Sequence, residues 1–191
     1  MTEDAAYRAT ALGEAYARIE RLPVTVLLDN VRSLYNVGAF FRTADAVRAE
    51  SIVLAGITPT PEDPRIAKTA LGAERSVSWS KAADAAAAID ALRARGVEIA
   101  AIETSLHAVD LFDWSPRFPV CVVFGHEVDG IAPAVFERCD VHVRIPTLGT
   151  KGSINVATAG GVVLYELLRK YRDLPQARGQ ASPTGAGPRR S

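Results

Sequence analysis

Between its two ends the chain alternates short, continuous apolar runs rich in β-branched residues with Ala-rich stretches whose apolar positions recur every three to four residues. The first kind reads as strands buried on both faces and the second as helices with one apolar side. Strands are predicted at Val24–Leu28, Ser51–Ala55, Ser76–Trp79, Glu98–Ile102, Val120–Phe124 and Val141–Ile145. Helices are predicted over 3–20, 37–48, 64–71, 82–95, 133–137 and 155–172, with Gly96 placed to stop the helix that begins near Asp84. Strands alternating with helices imply an α/β domain, a mostly parallel sheet with helices on both faces. No repeat of 20–50 residues interrupts this pattern. The expected organisation is a helical arm over 1–22, one domain over 23–172 and a tail over 173–191.

Composition narrows the class. The 191 residues are 48% hydrophobic and carry 22 Lys+Arg against 22 Asp+Glu, enough apolar material for one well-cored domain. Two cysteines, Cys121 and Cys139, are too few for a disulfide-stapled scaffold and stand in apolar surroundings, so both read as core residues. No apolar run approaches the roughly 18–20 residues of a spanning helix, and Met1-Thr-Glu-Asp lacks a signal-peptide opening. A cytoplasmic location without membrane partners is the expectation. Charge by segment is less even than the total, at −1 for residues 1–22, −3 for 23–164 and +4 for 165–191. The Pro-, Gly- and Gln-rich stretch after Asp173 reads as a disordered basic tail.

In open parallel sheets, ligands sit beyond the carboxyl ends of the strands, which directs attention to three unusual loops. The first follows Leu28 and contains Asn36-Val-Gly-Ala-Phe-Phe-Arg42. Asn36 is suited to cap the helix it precedes, and Arg42 lies about 600° further round, so no pair between them is implied. An N-cap followed by a surface arginine is one reading of these two residues, and a functional pair is the other. The second loop, Phe124-Gly-His-Glu127-Val-Asp-Gly-Ile, offers a Gly at a strand end and a carboxylate that could meet a substrate or cap a helix. His126 reads as a loop residue, since no second His or Cys stands at metal spacing, and no metal is expected. The third loop, Ile145-Pro-Thr-Leu-Gly-Thr-Lys-Gly-Ser153-Ile-Asn155-Val, supplies free backbone amides and either Ser153 or Asn155 as cap of the last helix. Neither a Walker loop nor Gly-x-Gly-x-x-Gly is present, which weakens nucleotide triphosphate and dinucleotide readings.

Taken together and in this order, the three fragments resemble the motifs of the SpoU/TrmH branch of the SPOUT RNA methyltransferases over roughly residues 24–170. The resemblance implies a deep C-terminal trefoil knot, a homodimer, S-adenosylmethionine (AdoMet) as cofactor, and methyl transfer to a ribose 2′-hydroxyl of tRNA or rRNA. It assigns catalytic positions to Asn36, Arg42, Glu127, Ser153 and Asn155. Cofactor contacts fall on Gly125, Ile145, Ser153 and Ile154, with support from Thr104 and Leu148. Ile154 stands where the family usually has Leu. Of the two roles open to Arg42, orienting the ribose-phosphate and stabilising an emerging alkoxide is preferred to that of base, because deprotonating a guanidinium is costly. RNA contact is expected from Arg8, Arg18, Arg21, Lys151, Arg169, Lys170 and Arg172, and from the tail residues Arg178, Arg189 and Arg190, against the plainer reading of solvated surface. The alternative function is a catalytically silent RNA-binding or assembly factor with the same fold.

Overall fold

The computed structural model of the chain describes residues 20–174. Seven strands form one sheet: β1 (Leu22–Asp29), β2 (Ala49–Ala55), β3 (Trp79–Ala82), β4 (Glu98–Ile102), β5 (Val109–Asp110), β6 (Val120–Phe124) and β7 (Val141–Arg144). Their order is β3-β2-β1-β6-β4-β7-β5, and every pairing between them is parallel. Five α-helices accompany them: α1 (Leu34–Ala46), α2 (Pro64–Ala70), α3 (Ala85–Arg93), α4 (Pro133–Phe136) and α5 (Val156–Asp173).

Side chains of successive strand residues point to opposite faces, so a strand buried on both sides contributes to two cores. Val24, Val26 and Leu28 of β1 and Val120, Val122 and Phe124 of β6 pack under α1, α2 and α5. Leu27, Cys121 and Val123 face the other way, against Ala85, Ile89 and Leu92 of α3 and Val135 of α4. This is why the strands read as unbroken apolar runs. Each such side chain stabilises the fold by about 1.5–3 kcal/mol through burial. The first core holds the larger groups, with the Phe40 and Phe124 rings 5.0 Å apart. Where α5 crosses α1, a Cβ on Gly160 would stand 2.2 Å from Phe40 Cε1, so the close approach of the two helices requires glycine. Cys121 is buried and Cys139 half-buried beside the second core; burial pushes the Cys139 thiol up to about 12 and Cys121 higher still.

Most predicted elements shift at their ends by up to three residues, and three differences have an identifiable local cause. The third strand is Trp79–Ala82 rather than Ser76–Trp79, because a 3-10 turn at Ala73–Arg75 engages the Ser76 and Val77 amides. The first helix starts at Leu34, not 37, and its cap is Ser33, whose hydroxyl accepts from the Asn36 amide at 3.3 Å. The two-residue β5 escapes a reading based on hydrophobic period; it exists through pairing with β7. All of the predicted helix 3–20 but Glu20, and almost all of the tail, lie outside the described residues.

Candidate functional site

Because the sheet is parallel, the loops after β1, β4, β6 and β7 emerge at one edge. There, side chains from the three motif loops join. Asn36 is not the cap of α1 but sits in its first turn, which leaves its amide group free to bridge. Its Nδ2 donates to Glu127 Oε1 at 3.1 Å, and its Oδ1 accepts from Asn155 Nδ2 at 3.1 Å. Glu127 also accepts from the Ser33 and Arg32 amides, at 3.0 and 3.1 Å, and so places its charge at the N-terminus of α1. Burial works against that charge, but the Ser33 and Arg32 amides, its own amide and Asn36 hold the carboxyl below the ordinary carboxylate range. Asn155, not Ser153, caps α5: its Oδ1 accepts from Ala157 and Thr158 at 2.9 and 3.1 Å. Residues separated by 91 and 119 positions thus form one clamp.

A cavity of about 590 Å³ lies beside this clamp. Thr104, Gly125, Ile145, Ser153 and Ile154, to which the resemblance assigns cofactor contacts, line it together with Glu127 and Asn155 of the catalytic set. Leu148 does not; it is fully exposed, and Thr147 lines the cavity instead. Gly125 is the tightest point of the wall: a Cβ there would stand 2.3 Å from the Gly130 carbonyl carbon. The paired backbone bonds between His126 and Gly130, both 2.9 Å, draw the loop this close. His126 Nδ1 accepts from the Val128 and Asp129 amides, a loop role. Among the described residues, no group of three or more His, Cys, Asp or Glu could hold a metal ion, and no helix is long and apolar enough to cross a membrane.

The cavity also has features the motif reading missed. Ile102, Phe124 and Val156 add apolar wall, and the carboxylate of Glu103 joins the rim immediately after β4. Its position at a strand end was the available signal. Polar rim, apolar wall and size together match a small-molecule site, for which about 300–1,000 Å³ is usual.

Arg42 and Ser153 stand apart from the clamp. Arg42 is exposed on α1, outside the cavity lining, and neither it nor Ser153 hydrogen-bonds or ion-pairs with any described residue. The basic residues expected to meet RNA divide. Lys170 is withdrawn: its Nζ donates to the carbonyls of Leu111, Phe112 and Trp114 and lies 3.5 Å from Glu166, pinning the chain after β5 to α5. Arg169 pairs with Glu166 and Asp173, and Arg21 with Glu50. Lys151 and Arg172 are exposed and unpaired among the described residues, while Arg8, Arg18, Arg178, Arg189 and Arg190 lie outside them.

Known proteins are similar to this chain in sequence and fold. A protein from Staphylococcus haemolyticus assigned to the TrmH family of tRNA/rRNA methyltransferases is 30% identical over 151 residues, which is 79% of this chain and 60% of that one. The SpoU methyltransferase AviRb from Streptomyces viridochromogenes, solved with AdoMet, superposes with a TM-score of 0.73 at 26% identity, over 81% of this chain and 60% of that one. A solved RNA 2′-O ribose methyltransferase superposes at 0.71 and 27% identity, over 81% and 58%. The chain therefore spans about three fifths of the length of these relatives. The family model of the SpoU rRNA methylases matches residues 23–165, and the chain belongs to that family.

Proposed function

We propose that this chain binds AdoMet in the cavity beside the clamp and methylates a ribose 2′-hydroxyl of tRNA or rRNA. The observation that carries the reading is the joining of all three motif loops, through Asn36, Glu127 and Asn155, against a cavity lined by the expected cofactor positions other than Leu148. The chain residues fit such a group. Ile102, Phe124, Ile145 and Ile154 would hold the flat apolar part of a nucleoside, while Thr104, Ser153 and the amides around Gly125 would hold its polar edge. When bound, AdoMet supplies an electrophilic methyl on a sulfonium. The protein then has to hold the ribose oxygen in line and manage its proton.

Arg42 orients the ribose-phosphate and stabilises charge on the attacking oxygen, a role supported by its exposure and by its side chain having no partner among the described residues. Ser153, also unpartnered, joins the hydroxyl network. Asn36, Glu127 and Asn155 act by fixing the loops. The threading of the family's trefoil knot is part of the proposal. It is supported by the return of α5, which follows β7, onto α1 and β1 in the middle of the sheet. A cytoplasmic homodimer is the proposed working form; α5 leaves Val162 and Tyr165 in solvent opposite its core side, as an interface helix would. RNA is gripped by Lys151 and Arg172 with the arginines of the arm over 1–22 and the basic tail over 173–191.

The test is incubation of the protein with methyl-labelled AdoMet and tRNA or rRNA, followed by alkaline hydrolysis. Label in alkali-resistant dinucleotides is the expected result, because a 2′-O-methyl group blocks cleavage of the adjacent phosphodiester. Label confined to bases would overturn the ribose assignment. AdoMet binding without transfer to either RNA would favour the silent factor.

A further inference from the structure

The cavity carries a charge pattern of its own. Three carboxylates line it, Glu103, Glu127 and Asp129, together with His126 and no Lys or Arg. These carboxylates are not equivalent. Glu127 is committed to the N-terminus of α1, where the Ser33 and Arg32 amides and Asn36 surround it. Asp129 has an 81% exposed side chain beside His126, so water screens its field. Glu103 is half-buried and held in one orientation by the Thr104 amide at 2.9 Å and the Ile131 amide at 3.3 Å. Its charge is therefore less exposed to water than those of Glu127 and Asp129 and, unlike that of Glu127, is not committed to the end of a helix. Two neutral donors orient that charge without cancelling it.

We infer that Glu103 is the electrostatic discriminator of this cavity, favouring the sulfonium cofactor over its thioether product. The inference rests on the proposal that AdoMet binds here. AdoMet carries one more positive charge than S-adenosylhomocysteine, and the two otherwise differ by a methyl group. A fixed carboxylate in a half-buried cavity attracts that extra charge and leaves the uncharged sulfur unaffected. After transfer, the attraction disappears with the charge, and the spent product is displaced by fresh cofactor. Glu103 is on this account a specificity residue, not a participant in the methyl transfer.

Calorimetric titration of the full chain with AdoMet, S-adenosylhomocysteine and sinefungin, an analogue bearing an ammonium in place of the sulfonium methyl, tests this. In Glu103→Gln, affinity for AdoMet and sinefungin is expected to fall about three- to tenfold relative to that for S-adenosylhomocysteine. Glu103→Asp, which keeps the charge, should retain the wild-type ratio. For the wild-type protein, the AdoMet to S-adenosylhomocysteine affinity ratio should fall as salt is raised, a readout that does not depend on a variant folding. Equal loss of affinity for charged and uncharged ligands in Glu103→Gln, or a wild-type ratio indifferent to salt, overturns the inference while leaving the cofactor assignment standing. A wild-type protein that binds none of the three overturns that assignment and the inference with it.

Discussion

Two neighbouring regions of the site are built in opposite ways. In the clamp of Asn36, Glu127 and Asn155, the side chains are already engaged with backbone amides, helix ends or one another. Arg42 and Ser153 have no partner among the described residues. Polar groups satisfied internally hold loops in place, whereas groups left unsatisfied toward solvent remain available to a ligand. The difference separates residues that shape the site from those we propose to act in it, although all five belong to the same motifs.

The sharpest way to break that division is Arg42→Ala. Turnover should drop about 10²–10³-fold, the usual cost of losing one donor to a developing oxyanion. Melting temperature and calorimetric AdoMet affinity should not move, because no internal contact is lost. A fall in melting temperature would place Arg42 with the clamp.

Glu127→Ala should do the reverse. It strands the Ser33 and Arg32 amides and the Asn36 side chain, and stability measured by denaturant unfolding should fall by about 1–3 kcal/mol. The same carboxylate predicts a pH effect. Its folded pKa is depressed, so its contribution is complete above the ordinary carboxylate range and is lost as pH falls through the lower folded value. The stability difference between wild type and Glu127→Gln should therefore shrink in acid. A constant difference from neutral pH to strongly acidic pH would contradict the charge-based account.

Asn155→Ala removes an N-cap and one cross-loop bond, with an expected cost of about 0.5–2 kcal/mol in the same unfolding experiment. Asn155→Asp should recover the cap, since a carboxylate accepts from the same amides, but not the bond donated to Asn36. Ser153→Ala should change stability by no more than about 0.5 kcal/mol, since no bond to a described residue is lost. Its loss should appear in AdoMet affinity and methyl-transfer kinetics instead.

Much of this was legible before the fold was known. Continuous apolar runs at Glu98–Ile102 and Val120–Phe124 matched β4 and β6 residue for residue, because burial on both faces leaves no polar alternation to blur the ends. Where burial weakens, so does the signal: β3 lies at the sheet edge with its residues partly or fully exposed, and its predicted position was displaced by three residues. Asn36 shows the limit for side chains. An Asn before a helical run has the chemistry of a cap, but Ser33 was equally able to cap, and local sequence does not weigh one against the other. What frees Asn36 is Glu127, 91 positions away. Lys170 shows the same limit from the other side, since its basic neighbourhood suggested RNA while the carbonyls that engage it come from another segment.

The sequence by itself determined the types of the longer described elements, the parallel α/β class and the identity of the motif residues, because period, burial and capping are properties of short stretches of chain. The tertiary structure alone decided which motif residues are committed to one another, that Glu103 joins the cavity, and that Arg42 stands free. Those outcomes depend on loops from distant strands meeting at one edge of the sheet, where hydrogen-bond partners are set by distance in space and not by spacing along the chain.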